Sequence, residues 1–320
     1  MLGSDETETM FPIVVLDEAA QTTEPALMCA LAASKARQIV LLGDTRQLPP
    51  TVTADNPELR NTIGTSPMAR LEKIGVGQFT LTEQYRMPPA LLEHPSKYFY
   101  DGLVKCARKG ARLEQLLPPQ GFPWPCVTQP LAFIQVGNDS EIAHTMGGRS
   151  NPTEVKVITD IISNIVKAEE IQAKNIAVIT PYSKQVQLFR TALMNNVLFG
   201  LETQDVKVGT VDSFQGQETD LVIFSAVRSN VMKEMGFLRD SRRLNVAITR
   251  AKRGLIIVGD QTVLRTCHHW AALLDSCASR GCNMDEKDLN DEKELLMLGK
   301  VHADKNILNL DMDDPFYGLF

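Results

Sequence analysis

The sequence has 320 residues, 43% of them hydrophobic and 22% charged, a length and balance that fit a globular protein of about two domains with a sizeable core. Its net charge is −6, but residues 281–320 carry ten acidic residues against four lysines; the rest balances at 29 acidic and 29 basic, so no global basic field advertises nucleic acid and any such site must be a local groove. Aromatic residues make up only 6%, which argues against a large stacking surface; no apolar run approaches the ~20 residues of a membrane span, and the acidic Met1–Met10 is unlike a signal peptide.

In chain order, the first apolar run, Pro12-Ile13-Val14-Val15-Leu16, ends abruptly in Asp17-Glu18, and the second, Gln38-Ile39-Val40-Leu41-Leu42, ends in Gly43-Asp44. A break follows near residues 75–82, where Gly75 and Gly77 precede Phe79-Thr80-Leu81. Beyond a proline-rich loop comes the run Leu131–Val136, then a helical pattern over Thr153–Val166 with Val155, Ile158, Ile162 and Ile165 at i, i+3, i+4 spacing. The run Asn175–Ile179 closes in Thr180-Pro181, and a second helical pattern over Ser183–Leu193 carries Val186, Phe189 and Leu193. Leu221–Phe224 and Leu255–Val258 complete the set, and a last break near Ser276 opens the acidic tail. Apolar runs without alternation predict strands buried on both faces, and their alternation with amphipathic helices predicts an α/β doubly wound parallel sheet.

Two of these runs deliver chemistry to their ends. Val14-Val15-Leu16-Asp17-Glu18 carries two carboxylates to a strand's carboxyl end, where ligands bind in doubly wound sheets. Adjacent side chains there point in different directions, so one carboxylate can hold Mg²⁺ while the other orients water. The plain alternative is an acidic helix N-terminus with Asp17 or Glu18 as its cap. Gly43-Asp44-Thr45-Arg46-Gln47-Leu48-Pro49-Pro50 repeats the arrangement 26 residues later, with a glycine that permits close backbone approach.

Asp17-Glu18-Ala19-Ala20-Gln21 and Gly43-Asp44-x-x-Gln47-Leu48-Pro49-Pro50 resemble motifs II and III of the superfamily 1B helicases related to the regulator of nonsense transcripts and senataxin. Leu81-Thr82-Glu83-Gln84-Tyr85-Arg86-Met87 resembles motif IV, Gly209–Glu218 (GTVDSFQGQE) motif V, and Leu244–Lys252 (LNVAITRAK) motif VI. The likeness implies two RecA-like domains, a partial one over residues 1–78 and a nearly complete one over 79–276, followed by an acidic tail over 277–320. It implies ATP and Mg²⁺ as cofactors, single-stranded RNA or DNA as substrate, 5′→3′ translocation and unwinding, and RNA-decay or other nucleic-acid-processing proteins as partners.

The resemblance implies these roles, residue by residue. Asp17 holds Mg²⁺, Glu18 polarises the attacking water, Gln47 senses the γ-phosphate, and Arg86 and Arg250 serve as arginine fingers, work that suits a guanidinium because it stays charged and forks onto phosphate oxygens. Gln21, Gly43, Asp44 and Gly216 line the nucleotide, Tyr85 stacks near the adenine, and Glu218 touches the ribose or γ-phosphate region. Thr180, Tyr182 and Thr210 lie near the nucleic-acid backbone. Arg242, Arg243, Lys252 and Arg253 stay open between a solvated face and a basic groove.

One part of the pattern is missing. A helicase motor needs G-x-x-x-x-G-K-[ST], whose amides and lysine cradle the phosphates. The only Gly-Lys pair, Gly299-Lys300, is followed by Val301 and has Glu294 where the first glycine belongs. The chain is therefore expected to lack ATPase turnover on its own, and the first domain to leave Ile13–Leu16 and Ile39–Leu42 short of strand neighbours. A non-catalytic nucleic-acid-binding or regulatory module remains the rival reading. Met87-Pro88-Pro89 departs from the family too, which usually has histidine after the methionine. The scattered Cys29, Cys106, Cys126, Cys267, Cys277 and Cys282 form no disulfide framework and read as reduced thiols of a cytoplasmic or nuclear protein; the run Cys267-His268-His269 lacks the CxxC pair of a metal site.

Overall fold

The computed structural model describes residues 11–53, 56–107, 117–126, 128–137, 140–145, 147–198 and 202–290. They fall into two compact units divided between Thr80 and Leu81, two residues beyond the expected boundary.

In the first unit, β1 (Ile13–Leu16) pairs in parallel with β2 (Gln38–Leu41), Ile13 opposite Gln38 and Leu16 opposite Leu41. A 3-10 turn (Ala19–Gln21) and α1 (Glu24–Ser34) connect them; α1 carries proline in its first turn and ends at Lys35 in the left-handed region, φ 53°. Two short helices follow, α2 (Pro57–Ile63) and α3 (Pro67–Lys73). Each has proline in its first turn and a capping side chain: Asn56 accepts from Glu58 N–H, and Ser66 accepts from Ala69 N–H.

The second unit begins with β3 (Glu83–Gln84), α4 (Pro89–Phe99) and β4 (Lys105–Cys106), where β3 and β4 pair in parallel. Its body is a six-stranded parallel sheet made of β5 (Leu131–Gln135), β8 (Ile176–Thr180), β9 (Lys207–Thr210), β10 (Thr219–Ser225), β11 (Ala251–Gly259) and β12 (Asn283–Asp285). The spatial order is β12-β5-β11-β10-β8-β9. A small antiparallel hairpin, β6 (Ile142–Ala143) with β7 (Arg149–Ser150), precedes α5 (Pro152–Lys167); α6 (Ser183–Leu198) follows β8. The remaining helices are α7 (Ser241–Ile248), α8 (Gln261–Leu264) and α9 (His268–Ser279).

Alternation along the central strands sends side chains to two covered faces. Ala132, Ile134, Ile176, Val178, Leu221, Ile223, Ile256 and Val258 pack with Ile158 and Ile162 of α5 and Phe189 of α6. On the other face Phe224 meets Trp270 of α9, ring centroids 5.5 Å apart. Both faces are dry, which is why these runs read as continuously apolar. The architecture is the expected RecA-like α/β arrangement.

The expected acidic tail begins too early. α9 runs on to Ser279, Cys277 and Cys282 are fully buried, and β12 pairs with β5, so residues 277–290 belong to the second unit. Their charges are Arg280, Asp285, Glu286, Lys287 and Asp288, and the last four mask a strand whose inward residue is Met284. Residues 291–320 lie outside the described ones.

Candidate nucleotide and nucleic-acid sites

Because β1 and β2 are parallel and in register, their carboxyl ends place Asp17-Glu18 beside Gly43-Asp44. Asp17 and Glu18 are exposed. Asp17 Oδ1 accepts the Glu18 N–H at 2.9 Å, and Glu18 takes a left-handed backbone, φ 51°, uncommon for a residue with a side chain. Gln21 Nε2 donates to Glu18 Oε2 at 3.0 Å and so orients that carboxylate. Gly43 closes the site from the second strand: a Cβ there would stand 2.9 Å from Ala20 N and 3.0 Å from Ala19 N, so only glycine lets the two tips approach. Asp44 ties the following turn, accepting from Arg46 N–H at 2.9 Å and from Gln47 Nε2 at 2.8 Å. Two adjacent carboxylates fit a hard divalent cation, which takes one or two protein carboxylates and fills its shell with phosphate oxygens and water.

In the second unit, residues from three distant parts of the chain converge at the amino ends of β10 and β11. Glu218 immediately precedes β10, and Arg250 immediately precedes β11. Arg86, just past β3, donates from Nε to Glu218 Oε2 at 2.8 Å and from Nη1 to the Thr249 carbonyl at 2.9 Å. Lys252 Nζ reaches Glu218 Oε1 at 2.7 Å. Lys252 first and Arg86 second hold the Glu218 carboxyl down to about 2, so it is ionised at neutral pH. Arg250 is buried; its Nε donates to the Val246 carbonyl and its Nη1 to the Gln217 carbonyl at 3.1 Å, next to Glu218. Gly216, φ 74°, makes the left-handed turn that brings Gln217 and Glu218 back to the sheet. Two cations on one carboxylate, with Arg250 beside them, give the cluster a net charge of +2, counting Arg86, Lys252, Arg250 and Glu218. Tyr85 is exposed and its hydroxyl lies 3.2 Å from Glu83 Oε2.

Thr180 and Thr210 sit at the opposite, carboxyl edge of the sheet, paired across β8 and β9. Thr180 is fully buried and its hydroxyl has no hydrogen-bond partner, while Tyr182 is buried with its hydroxyl 3.5 Å from Arg228 Nη1. Beneath them lies a polar network with little counterpart in the sequence reading. Glu154, wholly buried near the start of α5, accepts from Ser225 Oγ at 2.6 Å and from the Val227 N–H on both carboxyl oxygens at 2.9 Å. Burial pushes its carboxyl up to about 8, against the hydrogen bonds from Ser225 and Val227. Those bonds hold Val227 at φ 69°, a strain worth roughly 1–3 kcal/mol in a β-branched residue. Gln185 joins the network through Asn151 and Ser225. Next along the chain, buried Arg228 donates from Nε to Glu141 Oε2 at 2.9 Å, and the Ser229 N–H donates to the same oxygen.

The four undecided cations separate. Lys252 joins the Arg86 cluster, Arg253 donates to the Leu117 carbonyl and pairs with Glu170, Arg242 pairs with Asp240, and Arg243 pairs with Asp212. Lys252 was two residues past Arg250 in sequence, a spacing that on a strand returns the side chain to the same face. No described helix is long and apolar enough to cross a membrane.

A family model described as "AAA domain" matches residues 63–262, and a second with the same description matches residues 1–55. The chain is 37% identical over 288 residues to the "Regulator of nonsense transcripts 1 homolog" of Drosophila melanogaster, covering 90% of this chain and 24% of the relative. It is 36% identical to the "Probable helicase MAGATAMA 3" of Arabidopsis thaliana, covering 84% of this chain and 33% of the relative. It is 35% identical to the "ATP-dependent helicase NAM7" of Saccharomyces cerevisiae, covering 88% and 28%. The chain thus spans a quarter to a third of the length of these relatives.

Proposed function

Since this chain belongs to the AAA-domain family of superfamily 1 helicases related to the regulator of nonsense transcripts, we propose that it supplies the Mg²⁺ carboxylate, the water-orienting glutamate and both arginine fingers of an ATP-driven motor that moves 5′→3′ along single-stranded RNA or DNA and unwinds it. The observation that carries the reading is the Arg86–Glu218–Lys252 cluster beside Arg250, because it brings Arg86 to side chains 132 and more residues away in one anion-seeking site. A transferring phosphoryl group needs positioning and charge neutralisation more than covalent help. Arg86 and Arg250 supply fixed guanidinium charge, and Glu218 keeps Arg86 extended until phosphate oxygens compete for it.

In the first unit, Asp17 would hold Mg²⁺, Glu18, steered by Gln21, would orient the attacking water, and Gln47, held by Asp44, would read the γ-phosphate. Thr210 faces the nucleic acid from the carboxyl edge, with Thr180 and Tyr182 supporting that edge from within. In this reading the protein works in the cytoplasm or nucleus beside RNA-decay or other nucleic-acid-processing proteins. A phosphate-cradling G-x-x-x-x-G-K-[ST] is not among the 320 residues, which favours the second reading for the isolated chain: it binds nucleic acid without turning over ATP.

Nucleic-acid-stimulated ATPase measurements test both statements. The chain alone gives background turnover. Joined to a segment that supplies the phosphate loop it hydrolyses ATP, and Arg86→Ala or Arg250→Ala then lowers turnover by about 10³–10⁵ while oligonucleotide binding persists. Near-normal turnover in both variants overturns the assignment of the fingers.

A further inference from the structure

The segment from Arg228 to Arg243 leaves the carboxyl edge of the sheet, crosses an exposed loop and enters α7. It carries five basic residues against Glu234 and Asp240, in a chain whose net charge is −6; Arg228 is buried on Glu141 and Arg243 is paired with Asp212, so the exposed cations are Lys233, Arg239 and Arg242. It is the kind of local basic stretch that the overall composition does not advertise.

The loop is also apolar where it meets water. Val231 and Met232 are 78% and 79% exposed, and Phe237 is 54% exposed. Their exposure is built in. Asn230 Oδ1 accepts the Glu234 N–H at 2.9 Å, Asn230 Nδ2 donates to the Glu234 carbonyl at 3.1 Å, and the Lys233 N–H donates to the Asn230 carbonyl at 3.0 Å. These bonds close a tight ring that turns Val231 and Met232 outward. Buried Met235 and Leu238 pin the loop from below. Phe237 is fixed on two sides, with Tyr182 at 5.5 Å between ring centroids and the Arg243 guanidinium 5.3 Å over its ring. Arg243 in turn reaches Asp212, two residues past Thr210. Exposed apolar side chains set beside the exposed Lys233, Arg239 and Arg242 match single-stranded nucleic acid, whose bases present apolar faces and whose phosphates are anionic.

We propose that Val231, Met232 and Phe237 form a base platform on which unpaired bases of single-stranded nucleic acid rest, while the neighbouring cations take the phosphates. The proposal rests on the nucleic-acid reading above and adds to it a contact to bases rather than backbone. A sequence-tolerant contact is expected, because every base has a π-face.

The test uses the full chain and single-stranded homopolymer oligonucleotides, read by fluorescence anisotropy, with an abasic strand of equal length as the phosphate-only probe. The wild type binds the base-bearing strand more tightly than the abasic one. Val231→Ser with Met232→Ser, and separately Phe237→Ala, each weaken binding of the base-bearing strand by about tenfold. They leave the abasic strand and the slope of log affinity against log salt unchanged, because phosphate contacts set that slope. Met232→Trp adds a reporter: Trp124 and Trp270 are both buried, so an exposed tryptophan is separable, and stacking quenches it when oligonucleotide is added. If the wild type binds oligonucleotide but the variants match it and the new tryptophan is not quenched, the platform is wrong and the loop faces another macromolecule, such as a protein. If the wild type binds no oligonucleotide at all, the underlying nucleic-acid reading falls, and the platform with it.

Discussion

Ile13–Leu16 in the first unit and Ile176–Ile179 in the second are the same kind of sequence, a short continuous apolar run ending in a polar turn. Their environments differ completely. Ile13 and Val15 are 50% and 61% exposed, and Val40 and Leu42 across the pair are 44% and 48% exposed. Ile176, Ala177, Val178 and Ile179 have no exposure at all. Burying a valine or isoleucine side chain contributes roughly 1.5–3 kcal/mol, so the first sheet forgoes most of what the second gains from an equivalent run. The comparison teaches that an apolar run encodes a strand and its readiness for burial, while burial itself depends on how many neighbours the sheet has. Among the described residues β1 and β2 have each other; β8 has β9, β10 and helical cover. The polar chemistry follows the same division. Ion pairing in the first unit is typified by Arg70–Glu24, half-exposed and screened, whereas the second unit buries Glu154, Arg228 and Asp260 in one connected network.

The largest expected consequence is in local stability. Limited proteolysis followed by mass spectrometry cuts within residues 11–80 at least about a hundredfold faster than within 81–290, because the rate tracks the free energy of local opening. Equal rates in a monomeric sample break the comparison outright. Exposed strand edges in the first unit also promote self-association, which size-exclusion chromatography at rising concentration reads.

Next is the buried carboxyl. Glu154→Ala leaves Ser225 Oγ and the Val227 N–H without their acceptor under a strained turn, and lowers the stability of the second unit by about 2–4 kcal/mol in urea unfolding. Glu154→Gln costs less. Its raised folded-state value means the native protein keeps a proton that the unfolded chain gives up above its ordinary carboxyl value, so the wild-type contribution is full below about 4.5 and is lost as pH rises through about 8. The stability gap between wild type and Glu154→Gln therefore narrows from pH 5 to pH 9. A gap that widens shows the carboxylate to be ionised in the fold, with the hydrogen bonds donated by Ser225, Val227 and Asn151 outweighing burial.

The smallest effect has the opposite pH sign. His94 of α4 is buried against Tyr98 and Phe99, neither ring nitrogen has a hydrogen-bond partner, and burial pushes its imidazole down to about 3. The folded state therefore excludes a proton that the unfolded chain accepts. Its contribution is full above about 6.5 and is lost as pH falls toward 3. His94→Phe keeps the ring packing and removes this loss, a relative gain of up to about 2 kcal/mol at pH 5 and little at pH 8 by thermal unfolding. A pH-independent difference between the two proteins refutes the neutral buried histidine.

Much of this molecule is legible in its residues. The apolar runs at Ile13, Ile39, Leu131, Ile176, Leu221 and Leu255 become strands, and Val155–Ile165 and Val186–Leu193 become the faces of α5 and α6, because periodicity is a local property that packing then uses. Asp17-Glu18 and Gly43-Asp44 can be placed side by side from sequence, since each pair follows an apolar run and parallel neighbours end on one edge; Gln47 joins them through Asp44. What tertiary structure decided is of another kind. β12 was hidden, since three residues around one buried methionine carry no period to detect. Lys252 and Arg253 are chemically alike and adjacent in sequence, yet strand alternation sends one to Glu218 and the other to Glu170. Glu154 looks like any acid in a helix's first turn until Ser225 and Val227, more than seventy residues away, arrive to surround it. Partners that distant are chosen by the order of strands in a sheet, and strand order is set by the packing of the whole unit rather than by any stretch of its residues.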